Sequence, residues 1–116
     1  MIKARRIKKS EEFQEMVHKA DKTVSALYVV YHREKKEEQN RIGISVSKKL
    51  GNAVVRNKIK RQVRSIVNET GALDIDRDMI VIVRKGYNTQ DYQASKKCFQ
   101  TVLKHVTINK YQKGEC

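Results

Sequence analysis

The residues most suited to chemistry in this chain are cations on a helix. Arg56, Lys58, Lys60, Arg61 and Arg64 fall within nine residues, about two and a half turns at 3.6 residues per turn. Cations so placed repel one another in water. A solvated helix face usually relieves this with acids at i+4, and none follows here until Glu69. The arrangement therefore points to a polyanion lying against it, most often nucleic acid. Arginine offers a planar fork for bidentate phosphate contacts and lysine a point charge, so binding through this stretch is expected to depend strongly on salt.

Three other groups bear on chemistry. Phe13, Val17, Tyr28 and Tyr31 could form a helix and a strand face that stack unpaired bases. Core packing accounts better for Phe13 and Tyr28 taken singly, and Tyr31, beside His32, is the better candidate for exposure. Asp74, Asp76 and Asp78 alternate, a clustering of carboxylates of the kind a metal-dependent nuclease requires. Arg77 sits among them, however, and no further acid or histidine motif supports a two-metal site, so they read as a turn leading into a strand. His18, His32 and His105 lack metal-ligand spacing. Neither a phosphate-loop nor a nucleophile-elbow motif is found. No catalytic residue and no metal ligand is assigned.

Composition agrees with the cationic helix. Lys and Arg total 26 against 13 acids in 116 residues, a formal net charge of +13. That balance argues against an acidic small-molecule ligand. No apolar run approaches the roughly 18 residues of a membrane span, and residues 1–9 have the cations of a signal peptide without its apolar middle. A cytoplasmic protein is expected. Cys98 and Cys116 form no motif, which predicts reduced thiols with neither a structural disulfide nor a metal site.

The elements that must position the cations follow from periodicity. Residues 1–9 read as a basic, mobile arm. Ser10 caps a helix over 10–20, with Phe13, Met16, Val17 and Ala20 on one face. Alternation from Thr23 to Tyr31 predicts one strand, and Arg33 to Asn40 a charged loop. Ile42, Ile44 and Val46 alternate with Gly43, Ser45 and Ser47 in a second strand, expected to pair with the first as an antiparallel hairpin. Its glycine–serine face would let a backbone or ligand approach closely. After Gly51, Asn52 caps the cationic helix. Val55, Ile59, Val63, Ile66 and Val67 form its apolar stripe, with Arg56, Lys60 and Arg64 alongside and Lys58 and Arg61 further round. Gly71 closes it. Met79 to Val83 reads as a central strand reached by a parallel crossover. Thr89 is expected to cap a last helix with Tyr92, Ser95, Phe99, Val102, Leu103 and Val106 inward, before a frayed tail over 109–116. The order α-β-β-α-β-α over residues 1–116 describes one α+β domain, an α/β sandwich on a mixed sheet.

The run from Ile42 to Lys49, followed by Gly51-Asn52-Ala53-Val54-Val55-Arg56-Asn57-Lys58-Ile59-Lys60-Arg61, resembles the signature of the protein subunit of bacterial ribonuclease P. The likeness extends to Arg6-Ile7-Lys8-Lys9, to Glu12-Phe13-Gln14 and to the strand from Ile80 to Arg84. It implies a ribosomal-S5-domain-2-like fold with a left-handed crossover, against the general preference. It also implies a monomeric protein bound to a catalytic RNA, which uses Mg2+ to remove the 5′ leader of precursor tRNA. By position, Arg56, Asn57, Lys58 and Arg61, with Lys48 and Lys49, match residues that meet the RNA subunit. Phe13, Val17, Tyr31, Lys60 and Arg64 match the cleft that receives the leader. The chain departs from the family pattern at Lys58, usually arginine, at Val17, usually a second aromatic, at Ser25-Ala26, and at Gly86-Tyr87, where a proline-containing turn is common. Two other readings remain at this stage, a DNA-binding regulator using Arg56 to Arg64 as recognition helix and a stand-alone nuclease using Asp74, Asp76 and Asp78.

Overall fold

The strand from Arg77 to Val83 organises the chain because it is apolar on both faces, with Met79, Ile80 and Val81 fully buried. A computed structural model describes residue 14, residues 20–34, 38 and 40–108, and residues 112–113, the side chains of 74, 107, 108, 112 and 113 excepted. The basic arm lies outside them, as does the predicted helix over 10–20 apart from Gln14 and Ala20. The described elements are β1 (Asp21–Val24), β2 (Tyr28–Glu34), β3 (Ile42–Ser45), α1 (Ala53–Glu69), β4 (Arg77–Val83), α2 (Tyr92–Ile108) and β5 (Gln112–Lys113). They form a mixed sheet in the order β3-β4-β2-β1-β5.

The parallel crossover is found where the pattern required it: β3 lies beside β4 in parallel, joined through α1. The expected hairpin of β3 with the preceding strand is not. β2 pairs antiparallel with β4 instead, from Tyr28 opposite Val83 to Glu34 opposite Arg77. A strand apolar on both faces is satisfied only in the middle of the sheet, and β4 takes that place by separating β2 from β3. The single strand predicted from Thr23 to Tyr31 is two. It breaks at Ser25, whose Oγ donates to the Tyr28 carbonyl at 3.0 Å and accepts from the Tyr28 amide at 3.0 Å, closing a tight turn. A short polar side chain here competes with the ladder for backbone groups. β2 also runs on through Arg33 and Glu34, which pattern alone assigned to a loop, because Asp78 and Arg77 supply pairing partners.

Both helices cover one face of the sheet, α1 over β3 and α2 over β2 and β1. Ile59, Val63, Ile66 and Val67 of α1 meet Phe99, Val102, Leu103 and Val106 of α2 over Tyr28, Val30, Ile42, Met79, Val81 and Val83. Tyr28 is thus core. Its ring stands edge-on to Phe99 at 5.3 Å and its hydroxyl donates to the Ser95 carbonyl at 3.1 Å, so burial raises its pKa well above the usual phenol range. Asp91, rather than Thr89, caps α2, its carboxylate accepting from the Ala94 amide at 3.1 Å. Gln112 and Lys113, placed by pattern in a frayed tail, add a short parallel strand to β1. Cys98 is buried and disulfide-bonded, which corrects the expectation of a reduced thiol; Cys116 lies outside the described residues.

A polar cluster sits within this layer. His32 is fully buried on β2. Arg77 Nε donates to His32 Nδ1 at 2.9 Å and its Nη2 to Asp21 at 3.0 Å, so Nε2 carries the His32 proton toward Thr23 Oγ1 at 3.3 Å. Burial, then the Arg77 charge, lower the His32 pKa from 6.5 to about 4. Between these values the unfolded chain takes up a proton that the folded chain refuses. The His32 contribution is therefore complete above pH 6.5 and is lost as pH falls toward 4, amounting to about 2–3 kcal/mol. Urea unfolding at pH 7.5 and 4.5 should show the wild type losing distinctly more stability than His32→Gln, whose amide supplies one acceptor and one donor but no titration. Equal losses would remove His32 as the cause.

Candidate nucleic-acid interface

The cationic helix is set by its first turn. Ser47 Oγ accepts from the Lys49 amide at 3.2 Å, and a 3₁₀ turn over Lys48–Leu50 leads to Gly51. Gly51 has φ +145° and ψ −171°, a conformation essentially restricted to glycine. A Cβ there would meet Val55 Cβ and Cγ1 at 3.0 Å. Asn52 then caps α1 as expected, its Oδ1 accepting from the Val55 amide at 3.0 Å. Lys48, Lys49, Asn57 and Arg61 are exposed around this start, while Arg56, Lys58, Lys60 and Arg64 are partly covered.

Rotation of α1 about its axis decides where each cation goes. On one flank Gln62 Nε2 donates to the Thr89 carbonyl at 3.0 Å, and Gln62 Oε1 accepts from the Tyr87 hydroxyl at 2.9 Å. Further along, Glu69 accepts from the Tyr92 hydroxyl at 3.0 Å and pairs with Lys96 at 3.2 Å. The Lys96 and Tyr92 contacts hold the Glu69 carboxyl below its usual pKa. These contacts turn that flank toward the 84–92 segment and α2. At about 100° per residue, Arg56, Lys60 and Arg64 occupy the other flank, beside the buried stripe and toward the β3 edge of the sheet. Arg61 and Asn57 point away from the sheet. Arg56, grouped by the resemblance with Asn57, Lys58 and Arg61, is by phase in line with Lys60 and Arg64. Its Nε is buried and has no hydrogen-bond partner among the described residues.

Tyr31 lies elsewhere. Paired residues in a ladder share a face, and the face turned from the helices reads Gly43, Ile80, Tyr31 and Lys22 across one rung. The next rung reads Ser45, Ile82, Val29 and Val24. Tyr31 and Ile82 pack about Ile80 there, and Tyr31 remains partly exposed. The structure therefore does not gather Tyr31, Lys60 and Arg64 on one surface. A strand touching all three must pass round β3, where the side chains on the Tyr31 face are only Gly43 and Ser45. Phe13 and Val17 lie outside the described residues. Lys22, beside Tyr31, was not picked out from sequence, although its alternation with Val24 could have placed it on this face.

The described aspartates of the alternating group, Asp76 and Asp78, do not come together as a metal site. Asp78 is fully buried and accepts from the Arg41 amide at 2.8 Å, with the Arg41 and Arg33 guanidinium groups at 3.9 and 4.0 Å. Asp76 is exposed. Among the described residues no three His, Cys, Asp or Glu side chains come together to hold a metal ion. No described helix is long and apolar enough to cross a membrane. The geometry instead offers a fixed row of cations beside an edge strand, with an aromatic-bearing sheet face round the corner.

Comparison with known proteins bears on this geometry. The family model for ribonuclease P matches residues 1–107. The ribonuclease P protein component of Bacillus cereus is 42% identical over 115 residues, covering 97% of this chain and 100% of the relative. That of Streptococcus agalactiae is 43% identical over 104 residues, 90% and 95% of the two chains. Among solved structures, the Staphylococcus aureus RNase P protein superposes with a TM-score of 0.76 at 41% identity, covering 92% of this chain and all of that one. The Thermotoga maritima protein superposes with a TM-score of 0.68 at 26% identity, covering 88% and 94%.

Because Gly51 is needed for both its backbone angles and its contact with Val55, Gly51→Ala should destabilise the fold by about 1–3 kcal/mol. Urea unfolding measures this, and an unchanged midpoint would show that the turn relaxes without cost.

Proposed function

The chain belongs to the ribonuclease P protein family, and from that premise we propose that it holds two nucleic acids at once, a catalytic RNA and the 5′ leader of precursor tRNA. The family's proteins are components of a ribonucleoprotein whose RNA carries the chemistry, so this chain needs no catalytic side chain of its own. Lys48, Lys49, Arg56, Asn57, Lys58 and Arg61 meet the catalytic RNA. Phe13, Val17, Tyr31, Lys60 and Arg64 receive the leader. Mg2+ is held mainly by RNA phosphates. The protein acts as a single copy in the cytoplasm.

The observation that carries this reading is the fixed rotation of α1, which sends Arg61 and Asn57 outward and Lys60 and Arg64 toward the β3 edge. One helix can then serve two polyanions without either displacing the other. A leader strand entering from the Lys60 and Arg64 side passes over Gly43 and Ser45 and reaches Tyr31, on which a base can stack. Such stacking is worth about 1–3 kcal/mol per base. Lys58 retains the charge of the arginine usual in the family but binds phosphate as a point charge, without the fork. A stand-alone nuclease is disfavoured by Asp78, which is committed to Arg41 and Arg33. A DNA recognition helix is disfavoured by the contacts of Gln62 and Glu69, which keep one flank of α1 against the 84–92 segment and α2.

Arg61→Ala should weaken binding to the catalytic RNA several-fold and reduce the salt slope by about one. Tyr31→Ala should weaken binding of leader-bearing substrate by roughly 5- to 150-fold, the equivalent of one lost stacking contact, while sparing mature tRNA. Filter binding and single-turnover cleavage at low Mg2+ measure both. Leader affinity of the catalytic RNA that is the same with and without the protein would overturn the leader role. Preference for duplex DNA over single-stranded RNA at matched salt would favour the regulator instead.

A further inference from the structure

The two parallel strands β3 and β4 end side by side, and a groove of about 330 Å3 opens beyond their carboxyl ends. It is lined by Lys49, Leu50, Val55, Ile59, Lys85 and Tyr87, together with Asn88 and Thr89. The volume falls in the range of small-ligand sites, about 300–1,000 Å3. Lys49 and Lys85 are exposed and Val55 is 37% exposed, whereas Ile59 is almost wholly covered. The groove thus has an apolar floor and two cations, with no acid among the described lining residues.

Its walls are already ordered. The Tyr87 hydroxyl is tied to Gln62 at 2.9 Å, and the ring stands edge-on to Tyr28 at 6.0 Å between centroids. Gln62 also fixes the Thr89 carbonyl at 3.0 Å, and the Tyr87 amide closes its own turn on Arg84 at 3.1 Å. Gly51 holds the opposite side, since any Cβ there would push against Val55. A ligand entering meets little ordering cost at the protein.

We infer that this groove is a pocket for one unpaired nucleotide of the catalytic RNA, its base on Leu50, Val55 and Tyr87 and its phosphate met by Lys49 and Lys85. Apolar and aromatic surface with flanking cations is how proteins take up single-stranded bases. The catalytic RNA is the source because the groove lies on the Gln62 flank of α1, next to Lys48 and Lys49. Lys60 and Arg64 lie on the opposite flank of that helix, and Tyr31 on the opposite face of the sheet. The inference rests on the function proposed above and adds Lys85, Val55 and Tyr87 to it.

The test uses the full chain with the catalytic RNA, measuring affinity against salt and base-specific chemical probing of the saturated complex. Lys85→Ala should lower affinity three- to tenfold and reduce the salt slope by about one. Val55→Ser should lower affinity comparably with the slope unchanged, and should restore reactivity at one unpaired base protected in the wild-type complex. Lys97→Ala, an exposed lysine on α2, should bind as wild type. Circular dichroism and urea midpoints verify that each variant is folded. Wild-type binding by both Lys85→Ala and Val55→Ser, with Arg61→Ala still impaired, would overturn the pocket and leave the broader function standing. Loss confined to leader-bearing substrate would overturn the assignment to the catalytic RNA. Wild-type binding by all variants, Arg61→Ala included, would count against the broader function itself.

Discussion

Burial of β4 on both faces is the constraint from which the rest of the architecture follows. Met79, Val81 and Val83 need a helical layer, Ile80 needs cover on the opposite face, and both ladder edges need a partner. β2 and β3 supply the edges. Because β3 precedes the helix and runs parallel to β4, α1 must cross over the sheet and return. The helix that carries the cations is therefore also the one whose apolar stripe closes the core, so its charged flanks cannot turn freely.

Local periodicity was enough for the stripe of α1, for the Asn52 cap and for the covered strand from Met79 to Val83, because each is written in the residue pattern of its own segment, whatever distant groups complete it. The break at Ser25 was not legible. It depends on one hydroxyl meeting both backbone groups of Tyr28, which an alternating apolar pattern hides. Strand pairing failed for a different reason. Nearness in sequence favoured a hairpin, and the demand of a distant strand for two neighbours overrode it. Cys98 was likewise judged on spacing, which carries no information about what lies beside it in space.

The site divides in the same way. That α1 is suited to a polyanion could be read from cations without compensating acids. The grouping of Arg56, Lys60 and Arg64 beside the apolar stripe could be read as well, but not which edge of the sheet that flank faces, because this depends on Gln62 reaching Tyr87 and Thr89, residues more than twenty positions away. Neither glutamine nor tyrosine attracts notice in a charged sequence. Likewise, the glycine–serine alternation of β3 was visible, but that those small residues share a face with Tyr31 emerges only from the register through β4.

The outer edge of β3 has a consequence of its own. Among the described residues β3 pairs only with β4, so its outer backbone groups are open to another strand. Bare edges of this kind invite self-association. Here Arg56, Lys60 and Arg64 lie on the flank of α1 turned toward that edge, and a second copy approaching it would bring the same three charges with it. Mutual repulsion guards the edge, an effect that weakens as salt shortens the screening length from about 30 Å at 0.01 M to about 8 Å at 0.15 M. The same three charges would thus act against pairing of two copies through this edge, in addition to favouring an anionic partner there.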